Sequence, residues 1–491
     1  MRALLVYPKF PATFWGFKDA LWFVSKKAPQ PPLGMLTVAN MLPGSWEKRL
    51  VDLNVKPLRD ADLEWAEVVL ISAMSIQRKS TEEVIARCKK AGVRTVAGGP
   101  LFTSEQENFG EVDHLVLNEA EVTLPMFLAD FEKGEAKRVY TSDEWADMTE
   151  AKGQALELVD MKKYVTMGVQ YSRGCPFDCE FCDISVLFGR KVRTKSAKQM
   201  VGELEALYAW GWRGGVFFVD DNFIGNAKKL KGEVLPAIIE WMKENGRPFV
   251  FQTQASINLA DDEELMRMMV QAGFDSVFVG IETTNEESLE ECNKRQNTNR
   301  DMLESVKSIQ RAGLQVTAGF IVGFDNDTEG VFDRMATFIQ KSGIVTAMVG
   351  LLNAPRHTRL HRRLEKEGRL LKDMTGDNTD GSMNFVPKMD RRKLMEGYRR
   401  LVEKLYTPGR YYERVRKCLK EYRIPRKRYT GVKASHVGAF LKSIVRLGIL
   451  GRERYQYWKL FVWTLVRRPR SFPTAMTLAI HGFHYRRFFR V

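Results

Sequence analysis

Short apolar runs alternate with longer segments of helical periodicity over the first 140 residues. Each run has the length of a buried strand in a parallel sheet. The runs occupy residues 3–7, 49–53, 68–73, 94–97 and 115–117. Apolar residues at helical spacing fill 33–42 and 81–91. Repeated units of this size predict a doubly wound parallel sheet.

The period lengthens after residue 165 and repeats regularly. We predict six strands, near residues 166–172, 216–220, 249–255, 276–281, 316–323 and 345–352. The intervening helices are predicted near 196–210, 228–245, 262–272, 286–312, 328–342 and 359–367. Six βα units are too few for a closed eight-stranded barrel, but they fit an open, partial (β/α)6 barrel of the TIM type. Chemistry in such folds lies at the carboxyl ends of the strands.

Polar stretches divide the chain. We expect an N-terminal domain over residues 1–140, a linker over 141–164, the partial barrel over 165–385 and a basic helical C-terminal domain over 386–491. Residues 391–491 contain 27 Lys+Arg and 5 Asp+Glu, a net charge of +22, and the chain as a whole carries +15. The first 390 residues therefore carry 15 − 22 = −7. A basic module on a mildly acidic body predicts an anionic partner surface.

The first apolar run is too short for a signal peptide, and no uncharged run reaches the roughly 18 residues of a membrane span. Six cysteines in 491 residues do not make a disulfide framework. We therefore expect a cytoplasmic protein, with the inner face of the membrane as a candidate site of attachment.

Three cysteines lie within eight residues: Cys175, Cys179 and Cys182, spaced C-x3-C-x2-C directly after an apolar run. A closed structural zinc site normally has four ligands, so three thiolates are too few for one. They suit a [4Fe-4S] cluster whose fourth iron stays open to a substrate or cofactor. Chance cysteines, or a zinc site completed by a distant His, are the alternatives.

The stretch C-x3-C-x-F-C resembles the signature of the radical S-adenosylmethionine (SAM) enzymes. The resemblance implies that Cys175, Cys179 and Cys182 hold the [4Fe-4S] cluster and that Phe181 lies near the adenine of SAM. In that family, SAM chelates the open iron and is cleaved to a 5′-deoxyadenosyl radical. A solvent-accessible cluster of this kind favours a reducing compartment.

Further candidates for SAM contacts follow the predicted strands. Glu282 and Gly323 resemble family motifs after the fourth and fifth strands, and the turn that contains Pro355 resembles a family turn that lies near the adenine. Asp220 either orients SAM or substrate or caps the next helix. Gln254 either hydrogen-bonds a ligand or fills the barrel.

Loops beyond the strands of the N-terminal sheet are candidate ligand loops. The Gly98-Gly99 pair lets backbone approach a ligand closely, although a plain turn would look the same. A domain of this size before a radical SAM barrel resembles the cobalamin-binding domain of B12-dependent members. The resemblance implies cobalamin contacts from a set of loop residues: Met74, Ser75, Gly98, Gly99, Pro100 and Glu119.

Two departures mark this N-terminal domain. The D-x-H-x-x-G motif is absent, so any cobalamin would lack a protein His on cobalt. The stretch Asn118-Glu119-Ala120-Glu121 replaces the Gly-Glu-Gly-Glu that is common in the subgroup.

The C-terminal region combines aromatic residues with Lys and Arg. Residues 440–450 place apolar side chains at helical spacing opposite Lys442 and Arg446, and 457–465 are rich in aromatics. This composition is typical of an interfacial segment that contacts anionic lipid. A helical cap with a solvated basic rim is the alternative. Binding of nucleic acid is disfavoured, because no recognisable nucleic-acid motif is present.

The family resemblance extends over nearly the whole chain and includes a group that contains hopanoid methylases. It implies an α/β enzyme that uses a [4Fe-4S] cluster, SAM and cobalamin to methylate an unactivated carbon of a lipid-like or other small-molecule substrate. An electron donor such as flavodoxin or ferredoxin is implied as well. The alternatives are radical coupling, cyclisation or oxidation without methyl transfer, and a non-catalytic iron-sulfur protein that docks on membranes.

Overall fold

A computed structural model describes residues 1–371, 374–424 and 434–491. It begins with a six-stranded parallel sheet in the order β2-β1-β3-β4-β5-β6. The strands are β1 (Arg2–Tyr7), β2 (Glu47–Asp52), β3 (Val68–Ser72), β4 (Arg94–Gly98), β5 (His114–Val116) and β6 (Val139–Tyr140). The helices are α1 (Lys18–Leu21), α2 (Leu33–Met41), α3 (Asp60–Trp65), α4 (Arg78–Lys90), α5 (Pro100–Glu105) and α6 (Ala120–Lys133).

Alternate side chains of each strand enter two separate cores. Ala3 and Leu5 of β1 pack on one face of the sheet with α2 and α6. Leu4 and Val6 pack on the other face with α3, α4 and α5. Helices therefore cover both faces, as the doubly wound prediction requires. The added edge strand β6 was not predicted, because two residues show no periodicity.

A second six-stranded parallel sheet follows, in the order β7-β10-β11-β12-β13-β14. Its strands are β7 (Thr166–Val169), β10 (Gly215–Phe218), β11 (Val250–Gln254), β12 (Phe274–Glu282), β13 (Gln315–Val322) and β14 (Ala347–Leu351). Strands β7 and β14 are its two edges among the described residues. A small ribbon pairs β8 (Ser172–Arg173) with β9 (Arg193–Thr194) in antiparallel fashion.

The helices of this region are α7 (Ile184–Leu187), α8 (Ala197–Ala209), α9 (Ala227–Lys229), α10 (Leu235–Glu244), α11 (Glu263–Ala272), α12 (Glu286–Glu291), α13 (Met302–Ala312), α14 (Val331–Ser342) and α15 (Arg359–Lys366). A π-helical segment, Leu230–Val234, joins α9 to α10. The single helix predicted over 286–312 was wrong between 292 and 301. Asn293 adopts a left-handed φ of 56° after α12, and the Asp301 side chain caps the start of α13.

The C-terminal region is helical: α16 (Arg391–Tyr406), α17 (Pro408–Glu421), α18 (Ala434–Ser443), α19 (Arg454–Arg467) and α20 (Phe472–Phe489). A π-helical segment, Ile444–Ile449, continues α18. Among the described residues, no helix is both long and apolar enough to cross a bilayer. The predicted fold class, with its doubly wound domain, partial barrel and helical C-terminal region, is confirmed.

The N-terminal chain is locked onto the last helix by aromatic packing. Phe14 stacks on Tyr485 with ring centroids 4.4 Å apart, and its ring also contacts Phe488 and Phe489. The backbone carbonyl of Phe14 lies 3.1 Å from Nε2 of His484. The loop before α1 therefore depends on α20 for its position.

We expect Phe14→Ala to lower the free energy of unfolding by about 3–5 kcal/mol, because it leaves a cavity between the loop and α20. Chemical denaturation followed by circular dichroism measures the change. Trp210→Ala, at a half-exposed indole, is the control and should change stability by less than about 1 kcal/mol. Equal effects of the two substitutions would contradict the packing argument.

Candidate active site

The predicted cluster loop runs from the end of β8 to the start of β9 and carries all three cysteines. All three thiols are free; Cys179 is buried, and Cys175 and Cys182 are half-buried. Gly174 enters the loop with φ of 86°, and a Cβ there would approach the carbonyl oxygen of Lys191 to 2.8 Å. Glycine is therefore required where the loop leaves the ribbon.

Asp220 anchors the strand that leads into this loop. It is fully buried, and its carboxylate accepts hydrogen bonds from the backbone N–H of Tyr171, at 3.2 Å, and from the N–H and hydroxyl of Ser172. Burial raises the pKa of Asp220 to about 7, although these hydrogen bonds oppose the shift. The carboxylate does not reach the large cavity described below. The structure thus favours support of the loop over the predicted direct contact with SAM or the helix-cap alternative.

The barrel end holds the opposite side of the loop through Arg363 of α15. Its guanidinium binds Glu180 of the loop at 2.8 and 3.0 Å, and also Asp325 at 2.9 Å. Burial alone would raise the pKa of Asp325, but hydrogen bonds from Arg369 and Arg363 lower it to about 2. The N–H of Leu360 donates to the Glu180 carbonyl at 2.9 Å. The turn that contains Pro355 is therefore fixed against the cluster loop.

Glu282 and Lys294 form a buried ion pair of 2.7 Å beside the loop. Glu282 has a left-handed φ of 64° at a register shift of β12. Lys294 Nζ lies 5.9 Å from the centroid of Phe181. Burial would lower the pKa of Lys294, but the negative charge of Glu282, the neighbouring cysteines in their thiolate form and the hydrogen bond to Glu282 raise it. Lysine thus brings positive charge to the place where three thiolates are expected.

Other predicted SAM residues gather around the same loop. Phe181 contacts Phe324 edge to face at 6.1 Å, immediately after Gly323. Gly323 has φ of 107°, and its N–H donates to Asp327 at 2.9 Å. Glu282, through Lys294, and Gly323, through Phe324, thus lie near Phe181.

The donor set of the loop fits a cluster with SAM, because three free thiols on one loop leave a fourth position open. Gln296 Nε2 lies 3.7 Å from Cys179 Sγ. The buried oxygens Gln296 Oε1, Asn297 Oδ1 and Thr284 Oγ1 have no hydrogen-bond partner among the described residues. Within the described residues, no three His, Cys, Asp or Glu side chains already form a metal site. The fit therefore rests on donor chemistry, spacing and the unpaired polar atoms.

A cavity of about 2160 Å³ lies between the two sheets and the C-terminal helices. It exceeds the roughly 300–1,000 Å³ of a single small-molecule pocket. Its N-terminal wall includes Met74, Gly98, Gly99, Pro100 and Glu119. Its barrel wall includes Gln252, Gln254, Ser276, Phe278 and Thr317, and its helical wall includes Phe440, Phe472, Met476 and His481.

Five of the six predicted cobalamin residues line this cavity. Ser75 does not, and the backbone of Gly376 packs against it instead. Positions 98 and 99 both require glycine. A Cβ at 98 would lie 2.5 Å from the Val116 carbonyl oxygen, and a Cβ at 99 would lie 2.8 Å from Ser72 Oγ. The volume of the cavity fits a corrinoid, and so does a wall in which Gly98 and Gly99 present backbone without side chains. Gln254, predicted as a SAM contact, opens on the same cavity.

Glu119 and Glu121 join the N-terminal domain to the cluster ribbon. Arg173 donates to Glu119 at 2.9 Å and to Glu121 at 2.9 and 2.7 Å, and Arg193 donates to Glu119 at 2.7 Å. Burial alone would raise the pKa of Glu121, but the bonds from Arg173 lower it. The two carboxylates of this loop thus form an ion-paired clamp between the N-terminal domain and the cluster ribbon.

The sequence did not indicate Lys294, Arg363, Arg173 or Arg193 as functional. Each of these residues lies far along the chain from the carboxylate that it pairs with, or in a segment whose apolar residues show no periodicity. A weak signal existed only for Arg173, which adjoins the cysteine motif.

The cysteine loop lies at the mouth of a partial barrel and faces a doubly wound domain across a cavity. This is the architecture of a radical enzyme with a second cofactor. Family models match residues 169–339 (radical SAM superfamily), 24–128 (B12 binding domain) and 358–491 (a domain of unknown function).

The chain is 42% identical to an uncharacterized methyltransferase of Synechocystis sp., over 99% of this chain and 91% of that one. It is 32% identical to the hopanoid C-2 methylase of Rhodopseudomonas palustris, over 95% and 90%. The chain therefore belongs to the radical SAM enzymes with a B12-binding domain, and the resemblance inferred from the sequence is confirmed. Its cofactors are a [4Fe-4S] cluster, SAM and cobalamin.

The fold is also similar to that of the radical SAM methyltransferase TsrM from Kitasatospora setae, solved with cobalamin and a [4Fe-4S] cluster. The TM-score is 0.62 at 14% identity, over 93% of this chain and 97% of that chain. At this identity the likeness concerns the fold.

We expect Asp220→Asn to lower the amount of cluster that the protein retains, because an amide NH₂ facing the Ser172 N–H replaces an acceptor. Iron and sulfide content after anaerobic reconstitution measures the effect. Asp143→Asn, at an exposed position, should retain the wild-type content. Full cluster content in Asp220→Asn would show that the anchor is dispensable.

We expect Lys294→Met to weaken SAM binding by about tenfold, roughly 1.4 kcal/mol. The substitution leaves Glu282 buried without its cation and removes positive charge beside the thiols. Equilibrium dialysis of SAM against the reconstituted protein measures the affinity, with the exposed Lys366→Met as control. The pair hypothesis fails if both variants bind SAM as the wild type does.

Proposed function

We propose that this enzyme transfers a methyl group to an unactivated carbon of a lipid-like substrate of the hopanoid class. The observation that carries the proposal is the large cavity shared by the N-terminal domain, the barrel and the C-terminal helices. A sequence identity of 32% with the hopanoid C-2 methylase, over 90% of that protein, supports the substrate class.

When bound, the cluster with SAM supplies a radical that removes a hydrogen atom, and cobalamin supplies the methyl group. The chain's own residues would hold these groups in place. Cys175, Cys179 and Cys182 would ligate the cluster. Glu282 and Lys294 would orient the charged end of SAM, and Phe181 would lie beside its adenine.

The cavity walls would position the substrate and exclude water. The apolar side chains Phe278, Phe440 and Phe472 suit a hydrocarbon skeleton, because their contact with it removes apolar surface from water. Gln252 and Gln254 face the same cavity and would hydrogen-bond a polar group of the substrate. The buried clamp of Glu119, Glu121 and Arg173 would keep the N-terminal domain closed over the barrel.

Two partners complete the proposal. A low-potential electron donor of the flavodoxin or ferredoxin class would reduce the cluster. The C-terminal helices would contact the membrane at its cytoplasmic face, where a lipid-like substrate resides.

The test is product analysis with anaerobically reconstituted enzyme, SAM, cobalamin and a detergent-dispersed hopanoid. We expect a product heavier by one methylene, with S-adenosylhomocysteine and 5′-deoxyadenosine formed in equal amounts. Cys179→Ala, which removes one cluster ligand, should form neither deoxyadenosine nor product. 5′-Deoxyadenosine without S-adenosylhomocysteine would contradict methyl transfer.

A second candidate is radical chemistry without methyl transfer, such as cyclisation or oxidation. The observation that favours it is that Asn118 and Ala120 stand where the subgroup commonly has two glycines. A loop whose residues carry Cβ atoms cannot bring its backbone as close to a cofactor as a glycine-rich loop can. The same product analysis separates the two candidates. Absence of SAM cleavage by the reduced protein would instead favour a non-catalytic role.

A further inference from the structure

Helix α18 and its π-helical continuation present a row of large apolar side chains to solvent. Val437, Leu441, Val445 and Ile449 recur every fourth residue, and each is about half exposed, between 48% and 56%. The opposite side of the same helix is buried through Ser443 and Leu447. The helix therefore carries apolar residues on its exposed side as well as on its buried side, unlike an ordinary surface helix, whose outer side is polar.

A second row lies on α19. Tyr455, Val462 and Val466 are 71%, 57% and 72% exposed. Trp458 connects the helices, since its indole N–H donates to the Gly448 carbonyl at 2.9 Å. We define these seven aliphatic and aromatic positions, 437, 441, 445, 449, 455, 462 and 466, as the apolar face. Apolar residues clustered in this way mark an interaction site rather than ordinary surface.

The charges around the apolar face are of one sign. Lys442 and Arg446 directly follow Leu441 and Val445 of the first row, and Lys459 lies three residues before Val462 of the second. Lys442 Nζ donates to the Trp22 carbonyl at 3.1 Å and lies 5.1 Å from the indole centroid, so a half-exposed Trp22 adjoins the row. From 434 to 491 the sequence has a single acidic residue, Glu453, which is buried and paired with Arg486.

Exposed apolar side chains together with positive charge indicate what binds to the apolar face. Hydrocarbon contacts next to uncompensated positive charge suit a bilayer with anionic headgroups, where aliphatic side chains enter the acyl boundary and cations meet phosphate. A second copy of the chain would bring two basic surfaces together and is disfavoured by repulsion. No described helix can span the bilayer, so the contact would be interfacial.

The same helix also borders the large cavity. Val437 is half exposed and lines the cavity, and Ala439 and Phe440 of the next turn line it too. Leu21 and Val24, which flank Trp22, line the cavity from the N-terminal side. The cavity thus reaches the edge of the apolar face, between α18 and the loop after α1.

We propose that the apolar face binds an anionic bilayer and that the gap between Val437 and Trp22 is the portal through which a membrane-resident substrate enters the cavity. The portal rests on the proposed function, whereas the binding of the face to lipid does not. The arrangement lets a water-insoluble substrate pass from hydrocarbon to apolar cavity without crossing water.

Vesicle sedimentation with the full-length protein tests the surface. The probe is vesicles of phosphatidylcholine alone or with phosphatidylglycerol. We expect binding to the anionic vesicles, reduced in high salt by screening. We expect Leu441→Glu/Val445→Glu to lower the partition coefficient at least about tenfold, because two carboxylates would enter the interface. Met126→Glu/Val139→Glu, at half-exposed apolar positions of the N-terminal domain, is the matched control and should bind normally.

The outcomes are decisive in both directions. Equal binding of wild type and Leu441→Glu/Val445→Glu overturns the inference, as does absence of wild-type binding to anionic vesicles. A dimer in sedimentation equilibrium that Leu441→Glu/Val445→Glu dissociates would also overturn it, in favour of a protein interface. Far-UV circular dichroism of both double variants shows whether either has lost its fold. Lys459→Glu is a milder variant, and we expect it to lower the partition coefficient on anionic vesicles at least about twofold.

Val437→Trp tests the portal, because a larger side chain would narrow the gap. We expect a several-fold rise in KM for substrate supplied in vesicles, although vesicle binding should not fall, because Trp adds apolar surface at the interface. An unchanged KM overturns the portal. If no methylated product forms even with detergent-dispersed substrate, the proposed function is wrong. The inference that the apolar face binds lipid is then still judged by the vesicle-binding result.

Discussion

Largely buried charge pairs hold the cluster loop at its start, through Arg173, and again within the loop, through Glu180. Arg173 binds Glu119 and Glu121 on the side of the N-terminal domain, and Arg363 binds Glu180 and Asp325 at the barrel end. A buried charge without its partner is strongly destabilising, on the order of 3–5 kcal/mol. The loop, the N-terminal domain and the final barrel turn must therefore assemble together, and the cavity forms as a result of that assembly.

This constraint explains why the two sheets face each other across one cavity. The carboxyl ends of both parallel sheets are where ligands bind. Arg356 pairs with Glu107 of the N-terminal domain at a further point of contact. The C-terminal helices close the remaining side through Phe14 and α20. Three regions thus surround one volume, which suits chemistry that needs two large cofactors and a substrate together.

The sequence predicted most of the sheet architecture because strand periodicity and strand-to-helix alternation are local signals. It predicted the cysteine loop because its spacing is specific. It also singled out Gln254 as a ligand contact or barrel filling, and this side chain lines the cavity. It could not predict Lys294, which lies where one expected helix breaks into α12 and α13. Arg363 was missed because its partner Glu180 is 183 residues away, and a pairing at that distance leaves no local pattern.

The π-helical turn after α18 keeps the exposed row straight. In an α-helix of 3.6 residues per turn, a spacing of four overshoots each turn, so that a row drifts around the axis in one direction. A π-helix bonds i to i+5 and takes more than four residues per turn, so the same spacing falls short and the drift reverses. The rotation of the row along Ala434–Ser443 is therefore offset by the opposite rotation along Ile444–Ile449. A helix with such a straight row can lie flat on a plane, whereas an uninterrupted α-helix would rotate its apolar residues away from it.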